Sequence, residues 1–521
     1  MVFVLLCLFE ADVLFKTVVI TINLWHLCTL KKIRMNLFFS IENALPRVPG
    51  VTFSTPFNWQ VQNGEIWAVA GSNGSGKSLL AELIIGQYGL NQGEIIYHFL
   101  DELQRNNPEK TLHAWEFIKL VSFNSTYSIV DFRPMYYQQR FNSTEANESP
   151  FVRDLLIGDG SSNPVTEEII KTLNIAKLLD RKLIQLSSGE LRKLLIAKIM
   201  ASNPQMLIFD NPFIGLDVAS RHQLNELFVQ MNRQGIQLLF LVPAAVDLPD
   251  CTEKVLVMNQ CRMASFATAQ EYRKMHQREN IRNSEIHIDW ATFQTPEDYP
   301  EVCREVVKME NIEISYGKQI IRQDVNWIIQ KGEKWALLGP NGSGKSTLLS
   351  YIFADNPQSY AKKLTLFDRR RGTGESIWEI KTRIGFTSSE MHLYYRENVP
   401  CLSVVASGFF DSVGLFRKCS DKQEQAAVRM LEILECTHLK DKPFLKISSG
   451  EQRLVLFARS LVKNPELLIL DEPFHGLDTS KKRLCRRVVE SYCAQPDKSL
   501  IYVTHRREEI PTCIDHYMEL D

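Results

Sequence analysis

The chain has almost no net charge, no paired cysteine motif and only one stretch that approaches membrane-spanning length. Lys plus Arg number 60 against 61 Asp plus Glu, a formal net charge of −1 over 521 residues. That balance offers no basic surface for a nucleic acid partner, and none is expected. The 11 cysteines include no C-x-x-C pair, which argues against zinc or a disulfide framework and fits a reducing compartment. Hydrophobic residues make up 45% and charged residues 23%. Such a composition is ordinary for a globular protein, and the length suits two or more domains.

The compositional outlier is residues 1–34. Val13 to Leu30 is interrupted chiefly by Lys16 and His26, and Lys31, Lys32 and Arg34 follow it. A membrane-spanning helix needs about 20 apolar residues, and trailing basic residues would leave the remainder in the cytoplasm. A signal peptide fits worse, because its basic residues precede the apolar run. Two readings stay open: a marginal membrane anchor, and upstream sequence read in frame ahead of a start at Met35. The second is preferred. No comparable run follows residue 34.

The rest is written twice. Gly339-Pro340-Asn341-Gly342-Ser343-Gly344-Lys345-Ser346-Thr347 reads G-x-x-x-x-G-K-S, between the apolar run 335–338 and Leu348-Leu349, which opens a helical pattern. In such a loop the glycines let backbone N–H groups face phosphate oxygens. Lys345 can neutralise the β/γ-phosphates, and Ser346 offers a hydroxyl to Mg²⁺. Gly71-Ser72-Asn73-Gly74-Ser75-Gly76-Lys77-Ser78-Leu79 repeats the motif 268 residues earlier (345 − 77). A repeat of that length means two complete domains.

Leu186-Ser187-Ser188-Gly189-Glu190 pairs with Ile447-Ser448-Ser449-Gly450-Glu451. Each precedes a helix-like run that Asn203-Pro204 or Asn464-Pro465 stops. Apolar strands ending in Asp210 and Asp471 follow, with 21 residues from signature glycine to aspartate in both halves (210 − 189 and 471 − 450). Each then runs into Gly-Leu-Asp, at 215–217 and 476–478.

This ordered set resembles the ATP-binding cassette (ABC) ATPase, twice, over residues 37–268 and 306–521. The expected fold class is α/β: two tandem P-loop NTPase (ABC-type) nucleotide-binding domains with mostly parallel sheets. The expected division is an extension at 1–34, a first cassette at 35–269, a linker at 270–305 and a second cassette at 306–521. The resemblance implies ATP and Mg²⁺ as ligands, with the halves closed head to tail. Each ATP would lie between one P-loop and the other half's signature, whose serine and glycine open a helix at its positive end.

In the second half the resemblance makes Asp471 and Ser346 the Mg²⁺ ligands, Glu472 the general base, His505 the γ-phosphate histidine and Tyr316 the adenine platform. The first half keeps Ser78 and Asp210 for the metal but departs elsewhere. Asn211 follows Asp210, Ala244 stands where His505 would, and Val48 falls at the place of Tyr316. A positioned general base is worth about 10²–10⁴ in rate. One competent site is therefore expected, from the second P-loop with Ser188, Gly189 and Glu190. The other, from the first P-loop with Ser449, Gly450 and Glu451, should only hold nucleotide. The glutamine usual beyond the P-loop is missing from both halves, and Asn124 and Glu390 are the nearest polar substitutes.

The segment Phe367 to Lys381, with Arg369-Arg370-Arg371-Gly372 and Glu375-Ser376-Ile377-Trp378, is closely similar to the ModF family. Ile384 to Leu393 and Tyr137 to Phe141 add to the match. Members are tandem-cassette proteins linked to molybdate transport, so the resemblance implies a cytoplasmic ATP-binding component working with separate membrane subunits on a metal oxyanion. A ribosome-associated ABC translation factor is the alternative. That class carries a long charged linker and two catalytic glutamates, whereas here 270–305 is short and one glutamate is Asn211. A non-hydrolysing, nucleotide-gated regulator is a third reading, against which Glu472 and His505 stand.

Overall fold

The computed structural model describes residues 37–520 except 50, 52, 54, 107, 123–149, 158–163, 184–185, 187, 215, 278–285, 287, 294–302, 317–318, 354–355, 390, 396 and 416. The extension 1–34, the Tyr137 to Phe141 stretch, Asn124 and Glu390 thus lie outside the described residues.

Each half is organised on a sheet whose strands are near-continuous apolar runs, as strands covered on both faces must be. In the second half the order is Ile384–Ser388, Leu467–Asp471, Ser499–Val503, Lys334–Leu338 and His516–Glu519, parallel throughout. The first half repeats it with Ile118–Ser122, Met206–Asp210, Gln237–Val242, Trp67–Ala70 and Lys254–Asn259, and adds Arg262–Thr268 as an antiparallel hairpin edge. The strand Ser499–Val503 lies between the P-loop strand and Leu467–Asp471. Residues just past its end therefore emerge between the P-loop and Asp471-Glu472, at the carboxyl edge where such sheets bind ligands.

Each half also carries a separate antiparallel sheet, which the expectation of mostly parallel sheets leaves out. One joins Phe57–Gln62, Leu37–Pro46 and Leu90–Tyr97; the other joins Gln319–Gln330, Glu305–Tyr316, Leu364–Leu366 and Arg369–Arg370. Strict alternation of buried and exposed residues along Phe57–Gln62 marks one covered face. That face packs on the P-loop helix: Phe39, Ile41 and Trp59 meet Leu80, Leu83 and Ile84 in one half, and Ile312, Ile314 and Trp327 meet Leu348, Leu349 and Ile352 in the other. Each such side chain, fully buried, contributes about 1.5–3 kcal/mol. The opposite face of each parallel sheet is covered by the signature helix and the helix after Gly-Leu-Asp, Ser188–Met200 with Val218–Arg233 and Ser449–Leu461 with Thr479–Cys493.

Of the stretch between the halves, the helix Ala269–Gln277 packs on the first sheet through Ala269 and Tyr272. Ile288, Trp290 and Phe293 join the core of the second half, where Trp290 Nε1 donates to Ser491 O at 3.2 Å. Among the described residues no helix is long and apolar enough to cross a membrane.

Candidate functional site

Both P-loops are already shaped around their lysines. The helices Lys345–Ile352 and Lys77–Ile85 begin after Gly344 (φ 93°) and Gly76 (φ 99°), a left-handed conformation that favours glycine. Lys345 Nζ donates to Gly339 O and Pro340 O at 2.7 Å each, and Lys77 Nζ donates to Gly71 O and Ser72 O at 2.8 Å each. Burial pushes Lys77 down to about 8, against the pull of Asp210 and Asp478. Burial lowers Lys345 too, opposed by Glu472, Asp471 and Asp217. Ser346 Oγ donates to Asp471 Oδ2 at 3.4 Å, so two oxygen donors suited to Mg²⁺ stand together. Ser78 is exposed at the matching place, Leu79 is half-buried, and Thr347 is buried. Ser75 Oγ, Ser343 Oγ and His505 Nε2 are buried without a hydrogen-bond partner. Orphaned polar atoms beside a cradle of backbone N–H groups fit a phosphate-bearing ligand.

Each P-loop is touched by the other half. Asn341 N–H donates to Asp217 Oδ2 at 3.0 Å, and Asn73 N–H donates to Asp478 Oδ2 at 3.1 Å. The same two aspartates cap their own helices, Asp217 Oδ1 accepting from Ser220 N at 2.8 Å and Asp478 Oδ1 from Lys481 N at 2.9 Å. One carboxylate thus fixes a helix start and spans the interface. The sequence marked Gly-Leu-Asp as a repeat but not as a part of either site. A third tie runs from Asp247 of the first half to Arg506 at 3.3 Å, next in the chain to His505; Asp247 also accepts from Arg221 at 3.1 Å.

The second signature lies against the first P-loop. Ser448 and Glu451 form a reciprocal cap, Ser448 Oγ accepting from Glu451 N at 3.3 Å and Glu451 Oε2 from Ser448 N at 2.8 Å. Ser449 and Gly450 therefore form the first turn of Ser449–Leu461, and a Cβ on Gly450 would fall 2.0 Å from Asn73 Nδ2. Gly74 faces Glu451, whose Oε1 is 3.6 Å from the place of a Gly74 Cβ. In the first half the signature helix starts at Ser188, followed by Gly189, and Glu190 Oε1 accepts from Arg181 at 3.2 Å. Gly450→Ala is expected to break the Asn73 contacts and weaken ATP-driven closure while leaving each half folded. Limited proteolysis at saturating ATP checks this: protection equal to wild type would contradict it.

The two halves differ at one backbone position. Glu472 (φ 50°) and Asn211 (φ 51°) share a conformation, and each N–H donates at 2.9 Å to the neighbouring strand, to Val503 O and Leu241 O. Their side chains part there. Glu472 is buried and takes an imidazole on each oxygen, His505 Nδ1 on Oε1 at 2.8 Å and His475 Nδ1 on Oε2 at 2.9 Å. Burial favours its neutral form, but the two histidines outweigh that and hold the carboxyl well below the usual range. Burial acts against the charged form of His505, whose hydrogen bond to Glu472 nonetheless raises it. Asn211 instead turns its amide to Asp210 Oδ1 at 2.8 Å, and Ala244 is buried. Burial pushes Asp210 up to about 6, despite Lys77 and Arg453.

Glu472, His475 and His505 gather three groups able to hold a cation. Mg²⁺ prefers oxygen, so Ser346 and Asp471 suit it better than this trio. His475 was not singled out from the sequence, although its place three residues after the carboxylate, in a turn, was the available signal. Tyr316 ends the strand Glu305–Tyr316, and its side chain is outside what is described. Val48 forms an isolated bridge with Val51.

Residues 55–214 and 322–475 match the family described as ABC transporter. The ABC transporter ATP-binding protein ModF of Escherichia coli K12 is 35% identical over 471 residues, 88% of this chain and 91% of that protein. An uncharacterised ABC transporter ATP-binding protein of Schizosaccharomyces pombe is 28% identical over 475 residues, covering 89% of this chain and 94% of its own. Among solved structures, a ribosome-bound complex of archaeal Pelota and ABCE1 aligns with a TM-score of 0.56 at 19% identity, over 88% of this chain and 73% of that one. That is a likeness of fold alone.

Proposed function

Because the chain belongs to the ABC transporter family as a tandem-cassette ATPase using ATP with Mg²⁺, we propose that its two halves form two unequal ATP sites, of which only the one on the second P-loop turns over. Glu472, with about four acceptor positions on its two oxygens, keeps room for a water beside its two imidazoles and takes that water's proton. Lys345 supplies charge where the phosphates sit, and His505, whose protonated form Glu472 favours through Nδ1, offers its unpartnered Nε2–H to the γ-phosphate. Asp217, reaching across to Asn341, ties this site to closure. Mg²⁺, held through Ser346 and Asp471, would offset phosphate charge in the transition state.

At the other site Lys77, Ser78 and Asp210 remain, so nucleotide is held. Asn211 has no basicity and Ala244 no proton to donate. The single observation carrying this assignment is the contrast at one φ, a buried carboxylate between two histidines against an amide turned onto its neighbour. Trapping a photoreactive ADP analogue with vanadate, then mapping the label, tests it. Label confined to the second P-loop is the expected result, and equal label on both overturns it.

The ModF relationship supports a further step: a cytoplasmic ATP-binding component that energises separate membrane subunits carrying a metal oxyanion such as molybdate. Purification from native membranes should bring those subunits with it. ATPase that never co-purifies with a membrane protein and ignores the oxyanion would refute the transport role.

A further inference from the structure

We propose that His475 is a positioning residue for ATP hydrolysis: it holds the Glu472 carboxylate from the side opposite His505, so that the base is oriented before nucleotide arrives. The inference rests on Glu472 being the base.

Three observations carry it. His475 Nδ1 lies 2.9 Å from Glu472 Oε2 while His505 Nδ1 lies 2.8 Å from Oε1, and the two rings meet edge-on with centroids 5.1 Å apart. All three side chains are buried, so neither histidine contact competes with bulk water. A carboxylate gripped at one oxygen can still rotate about its last bond. Gripped at both, it has one orientation, and orientation of a reacting group is worth rate.

The contact is also local in origin. His475 N–H donates to Glu472 O at 3.3 Å, closing a turn that folds residue 475 back over the carboxylate. His505 arrives from a different strand. The two grips are therefore independent, one set by the loop and the other by the sheet.

The first half supplies a comparison within the same chain. Its turn closes with the same hydrogen bond and the same φ: Ile214 N–H donates to Asn211 O at 3.3 Å, with φ 51° at Asn211 against 50° at Glu472. The residue at the place of His475 is Ile214, whose Cδ1 lies 3.1 Å from the site of a Gly476 Cβ and so packs at the interface. The turn thus forms without an imidazole. Where the carboxylate is replaced by an amide, both histidine positions are apolar, Ile214 and Ala244. Requirements of the fold explain the turn, and only the presence of a base explains the histidine.

The test measures ATP turnover and ATP affinity for His475→Ala, His475→Asn and Glu472→Gln side by side. An asparagine amide nitrogen occupies the place of Nδ1, so it can restore the lost grip. Losing it should lower kcat for His475→Ala about 10- to 100-fold, with KM for ATP and the unfolding midpoint unchanged, and His475→Asn should recover most of that loss. The positioning role is overturned if His475→Ala keeps wild-type kcat, if kcat and KM fall away together, or if asparagine rescues nothing. Should Glu472→Gln itself turn over normally, the assignment of the base fails and this role falls with it. An inactive Glu472→Gln beside a fully active His475→Ala removes the positioning role alone.

Discussion

Glu472→Gln should retain ATP and release almost no phosphate. The substitution keeps the volume of the side chain, so the turn at φ 50° and the packing under it persist. It removes the proposed proton acceptor, worth about 10²–10⁴ in rate. It also upsets the histidines. The carboxylate accepts from His475 and His505 at once, but a glutamine amide can accept on one side only and presents an N–H to the other. One imidazole must then change tautomer or let go, which lowers activity further without touching the P-loop. Lys345, Asn341 and Ser346 stay in place, so nucleotide binding survives. Single-turnover phosphate release together with equilibrium ATP binding separates the two effects. Phosphate release near the wild-type rate would mean that another group takes the proton.

How much of this site could be read in advance depended on whether a residue acts within its own motif. Lys345, Ser346 and Asp471 are legible because each motif fixes its own geometry: the loop turns at Gly344, the strand ends at Asp471, and spacing does the rest. The strands Met206–Asp210 and Leu467–Asp471 have the limits that their apolar runs give. The helices after the signatures begin at Ser188 and Ser449, three residues before Leu191 and Gln452, where hydrophobic pattern places their starts; in the second half Ser448 and Glu451 cap each other and draw Ser449 and Gly450 into the first turn. Polar caps carry no periodicity, so pattern alone places such starts late.

The antiparallel sheets were hidden for a related reason. Glu305–Tyr316 and Gln319–Gln330 shift register several times along their pairing, and each shift flips the face on which an apolar residue falls. Contacts between the halves were illegible in detail. Asp217 reaches Asn341 across 124 residues and Arg506 reaches Asp247 across 259, and no local spacing encodes either pair. What the sequence could offer was the repeated Gly-Leu-Asp, an unexplained recurrence that closure of the two halves accounts for.

Lys345→Ala should remove far more ATPase activity than Lys77→Ala, and the structure makes the comparison fair. Each lysine is buried, and each donates to two carbonyls of its own loop at 2.7 or 2.8 Å. Alanine at either place therefore leaves two carbonyls without that donor and opens a similar space under the loop. The loss of fold stability should be nearly the same, and thermal unfolding of the two variants verifies that first. Any difference in turnover then belongs to chemistry. At the second P-loop, on the proposed assignment, the missing ammonium would have stood where charge develops during phosphoryl transfer, and a preorganised donor of that kind is worth about 10²–10³ in rate. On the proposed assignment no transfer is helped at the first P-loop, where Asn211 and Ala244 accompany Lys77. There the loss should appear as a higher ATP concentration needed for closure, with the limiting rate at saturation largely kept. Phosphate release measured across a range of ATP concentrations distinguishes a lowered plateau from a shifted midpoint. Two plateaus lowered alike would mean that both halves hydrolyse, or that neither turns over unless the other does.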